Sequence, residues 1–171
     1  MGELNESADQ APWLDPEHAV RDLVLVAAQG VLFLAVVAAA FAPWGPQLWS
    51  SVVVALAVIA IGVTGVGLAA AGLGKALTPM PTPNGEGLAA AGVYRFARHP
   101  MYSALVVVCL GVAVGAGTVA CYAVVAVLAA FFAVKARVEE RGLVATYPGY
   151  AEYAARVGRF LPGVGRLRAR P

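Results

Sequence analysis

Over long distances this chain carries no charge. No Asp, Glu, Lys or Arg occurs from Leu23 to Gly74, and none from His99 to Val134. A soluble fold must present charge to water, so runs of that length exclude one and place both stretches in lipid or in a lipid-buried bundle. Composition agrees, with 13% charged against 60% hydrophobic residues and a mean hydropathy of +0.75, outside the range of soluble globular domains. Cysteine is scarce too: Cys109 and Cys121 fall in apolar segments without metal-ligand spacing, so they read as small packing residues and no metal is expected. No strand precedes "GVTGVG" at 62–67, which makes it a site of close helix packing rather than a dinucleotide loop, and the Gly111–Gly115 pair reads the same way. Nothing points to nucleic acid. The first 20 residues are polar and acidic, which does not fit a cleavable signal peptide. Residues 1–22 hold six of the ten acidic residues and read as an acidic tail, disordered or lying on the membrane surface.

What is present is apolar helix. The first uncharged run divides at "PWGPQLW", where Pro43, Gly45 and Pro46 stop a helix and Trp44 and Trp49 suit a membrane boundary. Residues 23–74 thus give two transmembrane helices, from Leu23 to Ala42 and from Leu48 to Gly74. The second run, from Tyr102 to Val134, would be about 50 Å long as one helix, too long for a bilayer. A break at "GAGT", Gly115 to Thr118, turns it into a tight helical hairpin of two short arms rather than two full-length spans. The expected fold is therefore all-α: a polytopic integral membrane protein of about four transmembrane helices, the last two a hairpin, followed by a cytoplasmic C-terminal helical segment. "TPMPTP" at 78–83 reads as a stiff extended spacer.

Basic residues set the orientation. Lys75, Arg95 and Arg98 lie between the second and third helices and eight more Lys or Arg follow Val134, while the other two turns carry no charge. The positive-inside rule puts loop 75–98 and the C-terminus in the cytoplasm, and with four helices the N-terminus as well. Acidic residues at the N-terminus do not oppose this, because they influence topology little.

Polar chemistry concentrates in two places, "GVYRFARHPMY" at 92–102 and "KARVEERGL" at 135–143. The topology brings both to the cytoplasmic boundary at one depth. Pro100 suits the first position of a helix, leaving the N–H groups of Met101 and Tyr102 beside His99 as an anion site. Glu139 and Glu140 offer the opposite charge, and Lys135 and Arg137 can meet an acidic group. The plainer alternatives are that Arg95 and Arg98 anchor a helix end at lipid headgroups, that His99 is an interface residue, and that Lys135–Glu139 is a solvated pair four residues apart.

"LTPMPTP…GLAAAGVYRFARHPMY" followed by "EERGLVATYPGYAEYAARVGRFLP" resembles the isoprenylcysteine carboxyl methyltransferase family, with the related phospholipid methyltransferases behind it. The resemblance covers residues 73–162 and makes 75–171 a methyltransferase core. It implies S-adenosylmethionine as methyl donor, bound in a cytoplasm-facing pocket, and a lipophilic acceptor arriving from the bilayer. The Ala-, Val- and Gly-rich composition reads as bacterial and so suggests the inner membrane of a bacterium. The resemblance also implies a donor site of Tyr94, His99, Pro100, Met101, Tyr102, Glu139 and Glu140, closed by the backbone around Leu88 and Ala89. Lys135 or Arg137 would meet the carboxylate of an isoprenoid-like thioether acid, making Arg137, Lys135 and Glu140 the catalytic candidates. Ala104, Val93 and "YPGY" at 147–150 depart from the family pattern, mostly away from the donor site. The donor's zwitterionic end suits this charge pattern: its carboxylate for His99 and the helix start, its ammonium for Glu139 or Glu140, and its sulfonium for the ring of Tyr94 or Tyr102.

Two other functions compete. Membrane sterol and isoprenoid reductases share a similar C-terminal helical arrangement and use NADPH, but the sequence shows no separate arginine-rich site for a second phosphate cluster. A scaffold or transporter explains the glycine-rich helices and leaves both polar clusters unexplained.

Overall fold

A computed structural model of the chain describes residues 16–42, 45–74 and 90–167. Among these residues the structure is all-helical: α1 Pro16–Phe41, α2 Val52–Leu73, a 3-10 turn at Gly92–Arg95, α3 Pro100–Ala116, α4 Val119–Thr146 and α5 Tyr150–Arg156. The expected spacer at 78–83, Leu88, Ala89 and Trp44 lie outside the described residues, as does most of the acidic tail. Helix α1 begins seven residues ahead of the uncharged run and takes Arg21 and Asp22 into the helix.

The break in the second uncharged run falls where "GAGT" predicts it. Gly117 caps α3 with φ of 71°, a left-handed conformation that favours glycine. Thr118 then caps α4, its hydroxyl accepting from the Cys121 N–H at 3.3 Å. Arm length is where the expectation of two short arms fails. The α3 arm has 17 residues, but α4 has 28 and is one of three helices, with α1 and α2, long and apolar enough to cross a membrane. The helix does not stop at Val134, because "KARVEERGLVAT" contains mostly strong helix formers and no proline. The "EE" cluster therefore sits on the same rigid rod as the apolar span.

Helices α2 and α3 pack against each other through glycine. A Cβ at Gly62 would lie 2.6 Å from Val108 Cγ2, and one at Gly111 would lie 2.6 Å from Ile59 Cγ1. These two backbones are closer than any side chain allows, as the sequence pattern anticipates. On the other side, α1, α3 and α4 enclose a core of Val36, Ala39, Cys109, Ala113, Cys121, Val125, Leu128 and Phe132. Both cysteines are free and buried there, in the packing role expected of them. The turns at one end tie together, with the Leu48 N–H donating to the Gly117 carbonyl at 2.8 Å and the Val119 N–H to Pro46 at 3.1 Å. The polar clusters occupy the opposite end.

Candidate active site

Helical spacing explains which side chains of α4 face inward. Cys121, Val125, Leu128, Phe132, Lys135, Ala136 and Glu140 are the buried positions, a stripe recurring every three or four residues. Lys135 and Glu139, four apart, share that side of the rod. Arg137, two positions from Lys135, points elsewhere. It is exposed, whereas Lys135 is 1% exposed, so of the two candidate cations only Lys135 joins the cluster.

The segment before α3 supplies the other half. Pro100 occupies the first turn of α3 and His99 precedes it as the cap residue, so the side chain of His99 stands at the helix start. The segment is pinned from behind by the C-terminal chain: the Arg98 N–H donates to the Gly158 carbonyl at 2.8 Å and the His99 N–H to Arg159 at 2.9 Å. The Ser103 hydroxyl donates to the Phe160 carbonyl at 2.8 Å, and the Tyr153 hydroxyl to the Tyr94 carbonyl at 2.6 Å. Burial pushes the Tyr153 phenol up to about 12, so it keeps that proton at ordinary pH.

His99 bridges the two glutamates, with Nδ1 3.4 Å from Glu139 Oε2 and Nε2 3.3 Å from Glu140 Oε1. Burial alone would lower the imidazole pKa, but hydrogen bonds and charge from Glu139 and Glu140 outweigh it and raise the pKa above the ordinary histidine value. The Tyr102 hydroxyl donates to Glu139 Oε1. Its ring stacks on His99, centroids 5.5 Å apart, and on Phe132 at 4.5 Å. Lys135 Nζ lies 5.6 Å from the centre of that ring and donates to Gln29 Oε1 at 2.7 Å. Tyr94 is buried nearby on the 3-10 turn, and Met101 and Pro100 are half-buried.

Glu140 is differently engaged. Arg98 donates to its Oε1 from Nε at 2.8 Å, and Arg159 reaches Oε2 from Nη2 at 2.6 Å and from Nε at 3.0 Å. Two guanidinium groups and His99 thus take up its lone pairs. Arg98 also holds the C-terminal chain, donating from Nη1 to the carbonyls of Ala154 at 2.9 Å and of Val157, and from Nη2 to that of Gly165 at 3.0 Å. The idea that Arg98 anchors a helix end at headgroups fails, because its side chain is 0% exposed. Arg95 does remain outside, over the ring of Phe96 at 4.6 Å. Sequence reasoning missed Arg98, Arg159 and Gln29 as members of this cluster. The adjacency of Arg98 to His99, and the position of Arg159 inside "GRFLP", were the available signals for two of them. For Gln29 the signal was a lone amide in an apolar helix.

What comes together is thus a carboxylate held by a tyrosine and a histidine, a buried ammonium beside the same tyrosine, and a fully paired carboxylate behind them. Such a site can bind a zwitterion and an anion side by side. The family model for phospholipid methyltransferase matches residues 50–149 of the 171. No curated protein and no solved structure matches the chain.

Proposed function

The chain belongs to the phospholipid methyltransferase family and is a membrane methyltransferase, and from that premise we propose that it uses S-adenosylmethionine to methylate the carboxylate of a lipophilic acid at the cytoplasmic face of a bacterial inner membrane. The observation that carries this reading is the meeting of Tyr102, Glu139 and His99 with the buried Lys135, where the apolar part of α4 gives way to charge. Family membership speaks for methyl transfer over the hydride transfer of a reductase, and it gives the polar clusters a role that a scaffold would not need.

The donor set fits a sulfonium amino acid. Glu139, its side chain 14% exposed, would take the ammonium, since Glu140 is already committed to two arginines. The N–H groups of Met101 and Tyr102 at the start of α3, whose first residue is Pro100, would take the carboxylate. His99 would contribute its charge, since both its ring nitrogens already face Glu139 and Glu140. The rings of Tyr102 and Tyr94 suit the cationic sulfur, and Leu88 and Ala89 remain the proposed cover of the adenosine. When bound, the donor supplies an electrophilic methyl group. The chain's own part is to orient the two ligands and exclude water, which can supply most of the acceleration of a displacement. Lys135 would hold the acceptor's head against Tyr102. A carboxylate head needs no proton removed before it acts, which suits a site whose glutamates are both engaged.

The family match itself favours a second reading, in which the amine of a phospholipid headgroup is methylated and its phosphate meets Lys135. The deciding experiment is transfer of radiolabelled methyl from S-adenosylmethionine into a lipid extract by the purified protein. Label released as methanol by mild alkali identifies the ester that the first reading expects. Alkali-stable label in an amine headgroup replaces it with the second. Lys135→Ala should depress acceptor use, while the exposed Arg137→Ala should leave it intact.

A further inference from the structure

Between Leu23 and Phe41, Gln29 is the one residue with a polar side chain. An amide in an apolar membrane helix is costly unless it finds a partner. Gln29 finds Lys135, accepting from Nζ at 2.7 Å. The two helices run antiparallel, since Gln29 meets Lys135 while the Val36 carbonyl lies 3.9 Å from Cys121 Sγ. Asp22, Gln29 and Val36 are spaced by seven on one face of α1, and both Asp22 and Val36 are buried. The polar residues of that face therefore lie toward the charged end of α4.

We infer that Gln29 is a positioning residue for Lys135, and that through this contact α1 sets the affinity for the acceptor's anionic head. The inference rests on the acceptor assignment proposed above and adds a residue outside the family-matched segment, which begins at residue 50. An ammonium on a flexible four-carbon stem has three donors and many rotamers. Gln29 fixes one donor and holds the ammonium beside the Tyr102 ring, and the charge of Asp22, on the same face of α1, acts on that ammonium too. A carboxamide does this without adding negative charge of its own. A glutamate in its place would also hold the ammonium, but would compete electrostatically with an anionic ligand.

The test is equilibrium dialysis of a tritiated prenyl-thioether acid against the full-length protein in detergent, alongside calorimetric titration with S-adenosylmethionine. Gln29→Leu should weaken acid binding at least tenfold and leave donor affinity within twofold. In turnover it should raise the KM for the acid far more than it lowers kcat. Gln29→Glu keeps a partner for the buried ammonium and so preserves the fold should the leucine variant not survive purification, and it too should lose acid affinity at least tenfold. Acid affinity within twofold of wild type in a folded Gln29 variant overturns the inference, as does a parallel loss of donor and acid binding. Lys135→Ala separates the two claims. If it abolishes acid binding while the Gln29 variants retain it, only the positioning role is lost, and if it too retains acid binding, the acidic-acceptor reading fails.

Discussion

Arg98→Ala should release the C-terminal chain from the membrane bundle. The guanidinium is fully buried against Glu140 and donates to three carbonyls spread over residues 154–165. Removing one partner of a buried ion pair typically costs about 3–5 kcal/mol, because the charge left behind is uncompensated. Here Arg159 stays on Glu140, with Nη2 at 2.6 Å, and the Ala154 carbonyl keeps the Leu167 N–H at 3.0 Å. The low end, about 3 kcal/mol, is therefore the expected cost. It should fall on the segment from Tyr150 to Leu167, whose attachment depends on Arg98, rather than on the α2–α3 pair, which packs through glycine. Amide hydrogen exchange followed by mass spectrometry reads this locally: a loss of about 3 kcal/mol speeds exchange through local opening on the order of 100-fold. Peptides from α2 should be unchanged. Arg98→Lys keeps the charge but not the fork of donors and should recover only part of the protection. Exchange in 150–167 within threefold of wild type in Arg98→Ala would refute the reasoning, and so would equal acceleration in α2.

Gly111→Ala places a Cβ 2.6 Å from Ile59 Cγ1 and 2.9 Å from the Ile59 backbone N, so thermal unfolding in detergent should show a loss of about 1–3 kcal/mol. Gly67→Ala, with nothing within 4 Å, should be neutral or stabilising by up to about 1 kcal/mol, since alanine is the better helix former. Because the folded pKa of His99 is raised by its two glutamates, its contribution to stability is fully present below the unfolded value of about 6.5 and is lost as pH rises through the folded value. The melting-temperature gap between wild type and His99→Gln should accordingly narrow as pH rises from 6.5. A gap that widens over that range contradicts the assignment. Single cysteines at Gly45 and Arg166 should react with an impermeant maleimide from opposite faces of the membrane, Arg166 from the cytoplasm.

The parts of this fold written in local chemistry were legible. Gly117 and Thr118 announce the α3–α4 turn, because a left-handed cap and a hydroxyl cap leave few alternatives. The glycines at 62 and 111 do mark close packing, but Gly67 of the same motif has nothing within 4 Å, so a glycine in an apolar helix signals a contact without fixing which position makes it. The length of α4 is not legible from charge, because "KARVEERGL" combines charge with strong helix propensity and the helix runs through it to Thr146. Lys135 and Arg137 stood as equals in the sequence. They separate only when α4 is shown to continue past Val134, since a helix turns residues two apart to different sides. The pairing of Arg98 and Arg159 with Glu140 was not legible because Glu140 lies 42 and 19 residues away in the chain, and no local pattern encodes a pairing of that range.

The most direct test of the central claim is calorimetric titration of the purified protein with S-adenosylmethionine, repeated for Glu139→Ala, His99→Ala and Arg137→Ala. The account predicts saturable binding by wild type, at least tenfold weaker binding by the Glu139 and His99 variants, about 1.4 kcal/mol for each lost charge-assisted contact, and wild-type affinity in the Arg137 variant. No binding by wild type, or one affinity shared by all four proteins, would contradict it.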